Sequence, residues 1–119
     1  YGISNWTTFL QNTEGYRRDL RRVEYGDERD PKMRAVFDRI SPLNLSDRMK
    51  KPMMIYQGAN DPRVPQSESE QMVARLRAQG SEVWYVLARD EGHGVSKKQN
   101  AEAVRATEIV FLKKVLGVD

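Results

Sequence analysis

Two short apolar runs, Met53-Met54-Ile55-Tyr56 and Val83-Trp84-Tyr85-Val86-Leu87, constrain this chain more than any other feature. Pro52 and Gly58 bound the first, and the second is rich in β-branched and aromatic residues. Their lengths and flanks predict two buried strands. Between them, Ser67 with Glu70 predicts a capping box opening a helix, with Met72, Val73 and Leu76 as its apolar stripe. Gly80 fits the left-handed position just past the end of that helix. After the second run, a polar loop around Gly92-His93-Gly94 leads into a last helix, from about Lys97 to Leu116. Its buried side is expected to hold Val104, Phe111, Leu112 and Val115, and Gly117 ends it. Strand, helix, strand, helix is a parallel βαβ unit with one more helix, and its crossover should be right-handed. Both strands then open their C-terminal ends onto one sheet edge, where open α/β sheets bind ligands.

The chain divides near Pro52, into a segment of residues 1–51 and the strand–helix–strand–helix segment of residues 52–119. The first is charged and helical in character. Phe9-Leu10 and the stretch Tyr16 to Val23 suggest one irregular helix. Asp30-Pro31 reads as N-cap and first helical residue, because proline there loses no needed hydrogen bond. The helix that follows should carry Met33, Val36, Phe37 and Ile40 on one face, and Ser41-Pro42 stops it. There is no internal repeat.

Composition narrows the function classes. At 119 residues the chain is one small domain, 39% hydrophobic and 31% charged. Its net charge of +3 comes from 20 basic and 17 acidic residues that are interleaved, so no nucleic-acid partner is expected. The absence of cysteine excludes disulfides, thiolate catalysis and cysteine–zinc sites. It also fits a reducing compartment, and a cytoplasmic location is the expectation. One histidine among scattered carboxylates makes a poor ligand set, so neither a metal nor another cofactor is expected. No apolar run approaches the roughly 20 residues of a membrane span, so no membrane partner is expected either. The start, Tyr1-Gly2-Ile3-Ser4, has no initiator methionine and no signal pattern, which suggests a processed or truncated chain.

The residues that carry chemistry sit just after the two strands. Gly58-Ala59-Asn60-Asp61-Pro62-Arg63-Val64-Pro65 follows the first, and Asp90-Glu91-Gly92-His93-Gly94 follows the second. Neighbouring strands lie about 4.8 Å apart, a gap that short loops bridge with a carboxylate and an imidazole. A histidine accepts a proton from a nucleophile and returns it to a leaving group, while a carboxylate fixes its tautomer. Singly, each residue has a plainer reading: a loop aspartate before proline is usually a turn or cap residue, and a lone histidine is usually structural. The pairing one βαβ unit apart, acid before histidine, is the stronger signal and matches the order in α/β-hydrolases.

Those two motifs, with Tyr25-Gly26-Asp27, Ser41-Pro42-Leu43 and the tail from Phe111-Leu112 to Leu116, resemble the last third of the prolyl oligopeptidase family of serine peptidases. The resemblance covers nearly the whole chain and is strongest to acylaminoacyl-peptidase and dipeptidyl-peptidase-like members. It implies the C-terminal part of an α/β-hydrolase fold with an incomplete sheet. It also implies that Asp61 and His93 are the triad acid and base. Arg63 matches the family arginine that holds a substrate main-chain carbonyl; read from the residues alone, it is equally a structural ion-pair residue. One departure stands out. The family's nucleophile sits in a G-x-S-x-G elbow, and Ser4, Ser41, Ser46, Ser67, Ser69, Ser81 and Ser96 all lack that context. The expectation is a C-terminal fragment whose serine, most of its oxyanion hole and propeller lie upstream. The whole protein would hydrolyse short peptides. The fragment alone would be inactive, and its unpaired strand edge or its N-terminal helical segment would drive self-association. Two other readings stay open: a non-catalytic interaction or assembly module, and an esterase.

Overall fold

The two expected strands form and pair directly. A computed structural model describes residues 1–119. Strands β1 (Met53–Gly58) and β2 (Val83–Ala88) are parallel, in a register that runs from Met53 opposite Val83 to Gly58 opposite Ala88. Each extends slightly beyond its apolar run, so both strands end at the same level. Their pairing makes the whole two-stranded sheet.

The crossover is helix α4 (Gln66–Ala78). Its expected stripe is buried: Met72, Val73 and Leu76 face inward. Leu43, Met72 and Leu76 form a cluster against which Met53, Ile55 and Val83 pack, so the helix is fixed to both strands. Gly80 takes φ +82°, and the paired closing bonds are both present, Ser81 N–H to Leu76 O at 3.0 Å and Gly80 N–H to Arg77 O at 3.0 Å. The capping box is not formed. Pro65 occupies the N-cap position without a side-chain cap, and Ser67 already lies in the first turn. Buried Val64 ends the preceding loop and hands the chain to the helix two residues earlier than the serine would. Glu70 instead accepts from the Gln66 side chain at 2.5 Å.

The N-terminal segment holds two helices where one irregular helix was expected, α1 (Trp6–Asn12) and α2 (Gly15–Tyr25). Thr13 breaks them apart: it is extended, and its N–H bonds Phe9 O at 2.9 Å to end α1. Asn5 caps the start of α1, accepting from Thr7 N at 2.9 Å and Thr8 N at 3.1 Å. Helix α3 (Pro31–Ile40) opens as its sequence predicts, with the Asp30 side chain accepting from Lys32 N at 2.9 Å. Of its expected face, Phe37 is buried and Met33 and Val36 are half-buried, but Ile40 is exposed. The aromatic cluster of Phe9, Leu10, Phe37 and Val64, flanked by Ile3, Trp6, Tyr25 and Met33, stops short of that last turn. A 3₁₀ helix over Pro42–Arg48 then leads to β1. Buried Glu28 closes the turn between α2 and α3 through a bidentate pair with Arg22, at 2.6 and 3.0 Å.

Helix α5 (Lys98–Leu116) covers the sheet from the β2 side. Val104 and Phe111 are buried, two turns apart, and Phe111 meets Trp84 edge to face at 5.4 Å. Leu112 and Val115, expected inside, are exposed. Two strands give this helix a narrow floor, so only one row of its side chains reaches the sheet. No helix is long and apolar enough to cross a membrane.

This division predicts a contrast. In the 119-residue chain, Leu76→Ala should cost about 2–5 kcal/mol, as a fully buried leucine does. Leu112→Ala should cost less than about 0.5 kcal/mol. Urea unfolding of the two variants beside the parent checks the difference.

Candidate active site

The loops after β1 and β2 are stitched together backbone to backbone. Ala59 N–H bonds Ala88 O at 2.9 Å, and Asn60 N–H bonds Glu91 O at 3.0 Å. The Asn60 side chain adds a bond to Arg89 O at 3.0 Å. Gly58 permits this approach. A Cβ there would stand 2.1 Å from Gly92 O and 2.7 Å from Glu91 O, closer than any side chain allows.

Asp61 is placed by that stitching and oriented by its own loop. Its Oδ1 accepts from Arg63 N at 2.8 Å and Val64 N at 3.0 Å. Its Oδ2 is left for His93 Nδ1, 2.8 Å away. The Asp61 side chain is completely buried, whereas that of His93 is 29% exposed. A carboxylate only accepts, so it favours the tautomer of the neutral imidazole with the proton on Nδ1 and the lone pair on Nε2. No group of the chain hydrogen-bonds Nε2, and no serine hydroxyl approaches as its partner. Around the ring, Tyr1 packs at 4.8 Å between centroids, and the Tyr56 hydroxyl donates to Gly94 O at 2.8 Å. Burial pushes the Tyr56 phenol up from its ordinary value, and the charge of Glu91 adds to this.

Arg63 lies at the surface. Its backbone N–H serves Asp61, but its guanidinium makes neither an ion pair nor a hydrogen bond. Within these 119 residues Arg63 has no ion-pair partner, and its guanidinium stands beside the Asp61 turn.

Three buried polar residues around the site escaped the sequence reading. Gln57, fully buried at the end of β1, accepts from Ser69 Oγ at 2.7 Å and donates to Gly58 O at 2.9 Å and Val64 O at 3.3 Å. It spans the two ends of the Asp61 loop and ties them to α4. Glu68, fully buried in the first turn of α4, accepts from Ser4 N, Asn5 N and Thr8 Oγ1 at 3.1, 2.9 and 2.6 Å. It binds the start of the chain to the sheet layer. A signal for it was present: residues 68, 72 and 76 share one face of a helix, so Glu68 continues the buried stripe of Met72 and Leu76. Glu91, nearly fully buried, accepts from Ser96 N, Ser96 Oγ, Lys97 N and Asn100 Nδ2 at 3.1, 2.9, 2.8 and 2.9 Å. No group of three or more acidic or histidine side chains is arranged to hold a metal ion.

Residues 1–119 match the prolyl oligopeptidase family over their whole length. The chain belongs to that family. It is 46% identical over 103 residues to dipeptidyl peptidase family member 6 of Caenorhabditis elegans, covering 87% of this chain and 14% of that protein. It is 45% identical over 119 residues to dipeptidyl aminopeptidase BIII of Pseudoxanthomonas mexicana, covering 98% of this chain and 17% of that protein. Among solved structures, a puromycin-hydrolysing peptidase of Mycobacterium tuberculosis superposes with a TM-score of 0.86 at 27% identity, over 99% of this chain and 18% of that one. The fold is thus that of the C-terminal part of α/β-hydrolase-fold peptidases. The chain spans about one sixth of the length of these family relatives.

The donors around Glu91 give it a pH signature. The Asn100 amide and then the Lys97 and Ser96 N–H groups hold its carboxyl down at about 2, against an ordinary 4.5. Between those values the unfolded chain binds the extra proton, so stability rises with pH there and is lost as pH falls toward 2. Urea midpoints between pH 2 and 5 should fall less steeply toward acid in Glu91→Gln than in the parent.

Proposed function

We propose that Asp61 and His93 are the acid and base of a serine-peptidase triad whose nucleophile comes from another part of the longer protein. The observation that carries this reading is the 2.8 Å bond between a buried Asp61 carboxylate and His93 Nδ1, with Nε2 left open. A serine facing Nε2 would pass its proton there and attack a peptide carbonyl. His93 would then give the proton to the leaving amine, and Asp61 would hold the imidazolium and its orientation. Arg63, with its unpaired guanidinium beside the Asp61 turn, would bind a main-chain carbonyl of the substrate. The names of the relatives, a dipeptidyl peptidase and a dipeptidyl aminopeptidase, favour short peptides over esters.

In the full-length protein, Asp61→Asn should lower kcat on a peptide nitroanilide about 10⁴-fold. His93→Ala should lower it about 10⁶-fold, and the 119-residue chain should take up no fluorophosphonate label. Stoichiometric labelling of that chain, or a His93→Ala enzyme within tenfold of the parent, would sink the proposal.

The 119-residue chain by itself should also associate. Its sheet has two strands and therefore two unpaired edges, each a template for pairing with another copy. Light scattering over a dilution series should show an average mass that rises with concentration. A constant monomer mass would count against it.

A further inference from the structure

We infer that Glu91 is the positioning residue for His93: its side chain closes the turn that carries the imidazole. This rests on the reading of His93 as the base. The turn runs from Gly92 to Val95 and holds two glycines, one of them at φ +132°, so its sequence does little to stiffen it. Glu91 fixes both of its ends. Its main chain is tied to the Asp61 loop, since Glu91 O accepts from Asn60 N at 3.0 Å. Its carboxylate reaches across the turn to Ser96 N, Ser96 Oγ and Lys97 N, and on to Asn100 in α5. Inside the turn only a Gly94 N–H to Gly92 O bond of 3.1 Å and the Tyr56 hydroxyl on Gly94 O restrain the backbone. One buried side chain thus sets the distance between the strand that delivers His93 and the helix that receives the chain.

A simple helix-capping role predicts a different result. Capping would lower stability and leave turnover per folded site intact. Positioning lowers turnover itself, because an imidazole displaced by about 1 Å costs on the order of 10²-fold.

The test uses the full-length protein and a dipeptide nitroanilide. In Glu91→Gln the side-chain amide puts its own N–H groups against the donors of Ser96, Lys97 or Asn100. Its kcat, measured well below the melting temperature, should fall about 10- to 100-fold while KM stays within about twofold. Fluorophosphonate should still label every site, but more slowly by a similar factor, which excludes a merely unfolded fraction. Glu102→Gln removes a charge from the same helix without touching the turn or any partner of Glu91 and should leave kcat within about twofold; an equal loss there would overturn the inference. If Glu91→Gln does not fold, the pair Ser96→Ala and Asn100→Ala removes two side-chain donors and should lower kcat in the same direction. Parental kcat in whichever variant folds overturns the inference. A His93→Ala control separates the two claims: its activity, if retained, sinks the triad reading, whereas an inactive His93→Ala beside a fully active Glu91→Gln sinks only the role given to Glu91.

Discussion

The parallel pairing of β1 with β2 is the interaction on which the rest depends. Its register sets Gly58 level with Ala88, so the two following loops leave the sheet at one height. From there the distance between Asp61 and His93 is a matter of a few residues of loop, and both loops are held by bonds between their backbones. Two strands alone would be marginal in water. Helix α4 stabilises them by burying Met72 and Leu76 against Met53, Ile55 and Val83. The aromatic cluster reaches the same place from the other side, because Val64, the residue after Arg63, is one of its members. The site is therefore the meeting point of both packed layers.

Burial divides the work among three carboxylates. Asp61, Glu68 and Glu91 are all removed from water, and each is satisfied by backbone N–H groups. Such groups offset the loss of hydration without a neighbouring cation. Glu68 and Glu91 give every oxygen to structural donors. Asp61 gives only Oδ1 to its loop and directs Oδ2 to the imidazole. Chemistry is available only at the acid that keeps an oxygen in reserve.

Much of this was legible in the sequence because it depends on local rules. The two apolar runs became strands, Asp30-Pro31 opened α3, and Gly80 closed α4. The pairing of Asp61 with His93 followed from strand order. What was not legible depends on which neighbour is present. Ile40, Leu112 and Val115 carry helical spacing, yet the surfaces opposite them are absent or too narrow. Ser67 and Glu70 have capping-box spacing, but buried Val64 shifts the start of the helix to Pro65. Gln57, Glu68 and Glu91 are polar residues that a hydropathy pattern assigns to the surface. Glu68 is held by donors 60 or more residues away, at Ser4, Asn5 and Thr8, and only its helical face hinted at burial. Gln57 and Glu91 are held within their own loops and the helix starts that follow, by turn geometry that a hydropathy pattern does not record.

The close approach at Gly58 has a consequence for how this part of the molecule changes over time. With carbonyl oxygens of the second loop lying where a methyl group would go, the loop bearing the acid and the loop bearing the histidine are one mechanical piece. Neither can lengthen, turn or be exchanged with a homologue's loop while the other stays put. Drift, recombination and engineering must therefore carry the two as a single cassette, together with the glycine that lets them touch.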